Sequence, residues 1–203
     1  MSTLRYILGT RWMDEELRAM VRSDVVEVLP YLRYGILVAA VFLAGYAVYR
    51  GLFKLLDKKP DYPLDRALVM ALFLIYMTVV AWRTLLSRAP GTLSRVEVEA
   101  FSTWGTSIKN SALFIENILM FIPFGVLAPL CFRRLRSFPL CVGAALSLSF
   151  AIEMTQFVLQ VGFTQMDDLL TNTYGAILGW CGFTVVYIPY RAIKKVLEIL
   201  PKR

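Results

Sequence analysis

The sequence predicts an all-α integral membrane protein, with about five transmembrane helices and an N-terminal amphipathic helix. Three observations lead there. Hydrophobic residues make up 58% of the chain and mean hydropathy is +0.60, while charged residues fall to 18%, below the roughly 25% usual for soluble domains. Five apolar segments each approach the roughly 20 residues that a helix needs to cross the hydrocarbon. Lysine and arginine gather at the segment ends, so the net charge of +7 reads as a solvated rim on spanning helices rather than a nucleic-acid surface. At 203 residues, one membrane domain is the natural count.

Residues 1–30 place Leu4, Ile7, Leu8, Leu17, Met20, Val21, Val25 and Val28 at helical spacing, with Arg11, Asp14, Glu15, Arg18 and Arg22 opposite. This predicts an amphipathic helix on the membrane surface or against the bundle, ended by Pro30. The stretch is too charged for a cleavable signal peptide, so insertion is expected to use the first span. The spans fall at about 31–49, 64–86, 114–132, 138–161 and 170–190, and the polar stretch 87–111 is the one sizeable loop. The expected organisation is an interfacial helix (1–30), an accessory span with a basic loop (31–66), a core (67–190) and a basic tail (191–203).

Loop charge sets the orientation. Lys54, Lys58 and Lys59 join spans one and two, Arg133, Arg134 and Arg136 join three and four, and Arg191, Lys194, Lys195, Lys202 and Arg203 form the tail. With five spans these regions share one side, which the positive-inside rule makes the cytoplasm. The turn around 162–172 has no lysine or arginine but holds Asp167 and Asp168, and it faces outward with the N-terminus.

Glu153 carries the most information about function. It is the only charge in the run from 138 to 163, and a carboxylate within a span costs roughly 2.5–3.5 kcal/mol on insertion scales. Ser149, Gln156 and Gln160 extend its polar face, which lipid cannot satisfy. Two other polar groups fall at similar depth: Glu116 and Asn117 at the start of span three, and Asp167, Asp168 and Asn172 at the start of span five. The ligand-binding candidates are therefore Asn117, Glu153, Gln156, Asp167, Asp168 and Asn172. Several also have a structural reading: Glu153 can pair with Gln156, and Asn172 or Asp168 can cap the last helix. Gly175 and Gly179 form a small-x-x-x-small motif for close helix approach, and Pro123 with Gly125 can kink span three or act as a hinge.

Two absences narrow the chemistry. The chain has no histidine, which excludes Ser-His-Asp and Cys-His catalysis and histidine-based metal sites. Cys131, Cys141 and Cys181 lack C-x-x-C spacing and are expected to be buried packing residues. No cofactor and no metal are expected.

Three blocks in order, Asn117-Ile-Leu-Met-Phe-Ile-Pro123-Phe-Gly125, Glu153-Met-Thr-Gln156 and Asp168-Leu-Leu-Thr-Asn172-Thr173-Tyr-Gly175, resemble the VanZ-like family of small bacterial membrane proteins. The likeness covers about residues 85–180. It departs from the family at Gln165, where an acid is usual. The resemblance implies a multi-pass protein of the bacterial plasma membrane and an association with glycopeptide resistance, notably to teicoplanin.

The reading that combines residues and resemblance is a non-enzymatic cell-envelope protein. Its outward-facing polar pocket would bind a lipid-linked or lipidated ligand, a lipoglycopeptide antibiotic among them. The blocks contain no lysine or arginine, which favours sugar hydroxyls, an amine or a bridging cation over phosphate alone. Two alternatives stand: an intramembrane enzyme acting on an envelope lipid, with Glu153 and Asp168 dividing acid and base roles, and a small proton-coupled transporter using Glu153. A homodimer through the glycine stripe is a further expectation.

Overall fold

The computed structural model describes residues 15–88, 91, 93–97 and 107–199, the side chains of 93–97, 162–164 and 195–199 excepted. Six α-helices form among the described residues, in chain order α1 (Glu15–Glu27), α2 (Leu32–Leu55), α3 (Leu64–Ala81), α4 (Ile108–Cys131), α5 (Phe138–Leu159) and α6 (Met166–Ile199). Five helical segments are long and apolar enough to cross a membrane, the first counted as α1 with α2. The fold class is therefore that of a helical multi-pass membrane protein.

Each helix has a local cause. A 3-10 turn at Leu29–Tyr31, with Pro30 inside it, joins α1 to α2. Proline lacks the N–H that a continuing α-helix would use, so the backbone tightens there. Pro63, in extended conformation, precedes α3. Ser107 caps α4 by accepting a hydrogen bond from the Asn110 backbone N–H at 3.0 Å. That cap starts the helix six residues before the apolar run at 114, so span three is longer than hydropathy alone suggests. Gln160, in the left-handed region at φ 54°, ends α5.

Hydropathy also underestimates α6. It begins at Met166, with Asp167 and Asp168 in its first turn, where carboxylates complement the helix dipole. It then continues past Pro189 to Ile199. Asn172 therefore lies inside α6 and caps nothing, a correction to the capping reading.

The structure adds a feature absent from the sequence reading. Strands β1 (Leu93–Glu97) and β2 (Val161–Gln165) pair in parallel, Leu93 opposite Val161 through to Glu97 opposite Gln165. A two-stranded ladder is marginal alone, and here β2 runs directly between α5 and α6.

Packing centres on α4 and α6. A Cβ on Gly175 would run into the Ile118 carbonyl oxygen, one on Gly179 into that of Ile122, and one on Gly125 into that of Ala176. The contacts rise together along both helices, so α4 and α6 run parallel at backbone contact distance. The glycine stripe is thus filled by α4 of the same chain, which removes Gly175 and Gly179 as a dimer surface. Around this seam lies a buried apolar cluster that includes Val80, Phe121, Phe124, Cys141, Ala145 and Ile152. Cys141 is buried as expected and Cys131 half-buried, but Cys181 is exposed, so burial does not describe all three.

Residue Leu17 of α1 is buried and the helix packs on α4, while residues 1–14 of the expected amphipathic segment lie outside the described residues. α2 packs on α3 and leaves Ile36, Leu37, Val41, Val48 and Leu52 exposed, an apolar face fit for lipid.

Candidate functional site: a polar cluster inside the bundle

Parallel packing of α4 and α6 brings the first and third sequence blocks together. Asn117 Nδ2 donates to Asp168 Oδ1 at 2.7 Å. Glu153 on α5 is 4% exposed and lies within electrostatic reach of Asp168. Its Oε2 accepts a hydrogen bond from the backbone N–H of Gln165 at 3.2 Å. That bond needs β2, because the strand returns Gln165 beside the last turns of α5. Asp167 is buried at the same helix start, and its backbone carbonyl accepts from the Thr171 hydroxyl at 2.7 Å.

The remaining candidates face other partners. Gln156 Nε2 donates to the Thr84 carbonyl oxygen at 3.0 Å. Thr84 sits in a π-helical turn, Trp82–Leu86, that extends α3. Such a turn widens the ladder and frees carbonyl groups, and it recurs at functional sites. Asn172 Nδ2 donates to Ser149 Oγ at 2.9 Å, between two buried side chains, while its Oδ1 has no hydrogen-bond partner among the described residues. Gln156 and Asn172 therefore cross-link α5 to its neighbours, and Asn117, Glu153 and Asp168 form the compact polar group. Pro123 lies within a continuous α4, and Tyr76 Oη donates to the nearby Met120 carbonyl oxygen at 3.0 Å.

Two arginines enter this end of the bundle, which corrects the picture of a site without cations. Arg83, in the π-helical turn, pairs with Glu116 Oε2 at 3.5 Å. Arg88 Nη1 donates to the Val161 carbonyl oxygen at 3.4 Å, and its guanidinium lies within reach of Asp168 and Glu153. Arg88 is exposed as a residue while this contact is half-buried. Desolvation pulls its pKa below the usual arginine value, with Arg83 adding to the effect, whereas Asp168 and then Glu153 raise it. Both arginines lie outside the three blocks, so motif spacing could not find them. The available signal was their position at the end of the second apolar run, the same expected side as Asp168.

Glu116 is the end of a second chain of charge. Asp24 of α1 faces the same carboxyl group as Arg83, and Glu116 Oε1 is buried without a hydrogen-bond partner among the described residues.

Chemically, the cluster offers two carboxylates, an amide and a guanidinium within a mainly apolar bundle. It can accept hydrogen bonds from hydroxyl or ammonium groups and donate to an anion through Arg88.

Five helical segments able to span among the described residues define a small multi-pass membrane protein. The chain belongs to the VanZ/LLP1 family, whose model matches residues 67–187. It is 30% identical over 119 residues to Protein VanZ of Enterococcus faecium, an alignment covering 57% of this chain and 73% of that relative. No solved structure matches the chain.

Proposed function

We propose that this VanZ-family membrane protein is a non-enzymatic component of the bacterial cell envelope that binds a lipid-linked or lipidated ligand at its polar cluster. The observation that carries the reading is the convergence of Asn117, Glu153 and Asp168 from three helices within electrostatic reach of the Arg88 guanidinium. A bundle that needed only stability would fill such positions with apolar residues, since charged groups within a span are costly.

The mixed charge defines the ligand chemistry. Two carboxylates suit sugar hydroxyls or an amine, and Arg88 suits a phosphate or carboxylate next to them. A lipid-linked cell-wall precursor or a lipoglycopeptide of the teicoplanin type presents such groups beside an acyl chain. The charge pattern of the loops supports an outward-facing cluster, where either ligand would meet it. The enzymatic alternative finds no activated nucleophile at Thr173 of the third block, whose Oγ1 donates to the Leu169 carbonyl oxygen at 2.7 Å, as an ordinary helical threonine does.

The test is antibiotic susceptibility. A susceptible Gram-positive host would express wild type, Glu153→Gln, Asp168→Asn or Arg88→Gln at matched membrane levels, and growth would be titrated with teicoplanin and with vancomycin. Selective protection against teicoplanin by wild type, lost in all three variants, is the expected result. Protection that survives all three substitutions overturns the role of the cluster, and no protection by wild type overturns the resistance reading.

A further inference from the structure

A second feature lies at the opposite end of the bundle, among the connections expected to be cytoplasmic. A cavity of about 1260 Å³ opens there between α3, α4 and α6. Four arginines and a lysine line it, namely Arg66, Arg133, Arg136, Arg191 and Lys194, and Asp65 is the single acid among its described lining residues. The cations come from three separate parts of the chain: the first turn of α3, the 3-10 turn Arg133–Arg136 and the end of the last span.

The cation ring is partly prearranged. Arg136 Nη1 donates to Tyr187 Oη at 2.6 Å, its Nε donates to the Pro129 carbonyl oxygen at 3.1 Å, and its guanidinium lies 4.7 Å from the centre of the Tyr187 ring. Arg191 also donates to Tyr187 Oη, at 3.4 Å. Arg66 and Arg133 are exposed at the rim.

The walls below the ring are apolar. Val69, Val126 and Phe183 line the same cavity from within the spans. Phe183 is eight residues before Arg191, roughly 12 Å along the helix. A soluble anion has no use for such a wall, whereas the upper part of an acyl chain does.

We propose that this cavity is a binding site for an anionic phospholipid, with the headgroup phosphate held by Arg66, Arg133 and Arg136 and an acyl chain lying along the Val69–Val126–Phe183 wall. Arginine matches phosphate through paired N–H donors, and basic pockets between spanning helices on the cytoplasmic side select anionic headgroups. The site is separate from the polar cluster and does not depend on its function.

The experiment uses the full chain, purified in detergent and stripped of lipid, with bound lipid counted by native mass spectrometry. The probes are phosphatidylglycerol and phosphatidylcholine with matched acyl chains, and glycerol 3-phosphate as a soluble competitor. Wild type is compared with Arg66→Gln/Arg133→Gln and with Lys58→Gln/Lys59→Gln, which removes equal charge from the neighbouring basic loop.

Wild type is expected to prefer phosphatidylglycerol about tenfold or more, as a few near-surface cations acting together would predict. The preference should fall in the Arg66/Arg133 variant, persist in the Lys58/Lys59 variant and resist glycerol 3-phosphate. Thermal stabilisation of wild type by phosphatidylglycerol, greater than by phosphatidylcholine, reads the same preference without any substitution. Equal binding of both lipids, equal loss in both variants, or displacement by glycerol 3-phosphate would each overturn the proposal.

Discussion

Asn117 and Asp168, on different helices and 51 residues apart, share a 2.7 Å hydrogen bond that ties α4 to α6 at the end where α6 begins. The bond separates two roles of Asp168, since its oxygen anchors Asn117 and its charge faces Arg88. Asp168→Asn keeps an acceptor for the amide and removes the charge, whereas Asp168→Ala removes both. Interhelical hydrogen bonds in membranes contribute about 0.6–1.7 kcal/mol. Asp168→Ala should therefore lower the thermal midpoint in detergent by that amount of stability, with Asp168→Asn close to wild type. Equal stability of all three would mean that the bond contributes nothing to the fold.

The α4–α6 seam makes a sharper prediction. Gly179→Ala would place a methyl group against the Ile122 carbonyl oxygen, which belongs to backbone and has little room to move. Overpacking typically costs about 1–3 kcal/mol and more where backbone must shift. Gly143→Ala, by contrast, meets nothing within 4 Å. Gel filtration and thermal melts should show Gly179→Ala aggregated or strongly destabilised and Gly143→Ala indistinguishable from wild type.

Spans and seam were legible because their signals are local. Apolar length marks α2 to α6, and the Gly175–Gly179 spacing marks a close approach whose partner, α4, is fixed by the fold. The three polar blocks were visible as blocks, and depth along the helices anticipated Asn117 beside Asp168. Arg88 was invisible because its approach depends on where the chain goes after α3. The π-helical turn at Trp82–Leu86 shifts the side-chain period away from 3.6, so helical spacing assigns Arg83 and Thr84 to the wrong neighbours. The β1–β2 ladder escaped for a different reason: Leu-Ser-Arg-Val-Glu and Val-Gly-Phe-Thr-Gln are five residues each, too short for a strand period to stand out.

The π-helical turn should depend on Gln156. Its side-chain amide donates to the Thr84 carbonyl oxygen from another helix, and both residues are buried. Gln156→Leu keeps the volume roughly and leaves that carbonyl without the donor, at a cost of about 1–2 kcal/mol. Hydrogen exchange should rise at the backbone amides of 82–88 and stay unchanged in the α4–α6 seam. Unchanged exchange at 82–88 would show that the turn is held by its own ladder.

The buried Ser149–Asn172 pair is the last link to test, because it joins α5 to α6 deep in the bundle. Ser149 is fully buried and Asn172 Oδ1 already lacks a hydrogen-bond partner among the described residues, so the bond to Ser149 is the one this side-chain amide makes among them. Ser149→Ala would leave the Asn172 amide unpaired on both sides, at a cost of about 1–2 kcal/mol. Ser147→Ala, two residues away on the other side of the helix, removes only a hydroxyl that donates to the Gly143 carbonyl oxygen at an exposed position, and should be nearly neutral. A double variant, Ser149→Ala with Asn172→Leu, removes the orphaned amide together with its partner and should recover part of the loss. Thermal midpoints of the three variants decide the matter: recovery in the double variant assigns the cost to the unpaired amide, and a further fall assigns it to the shape of the cavity that Ser149 and Asn172 fill together.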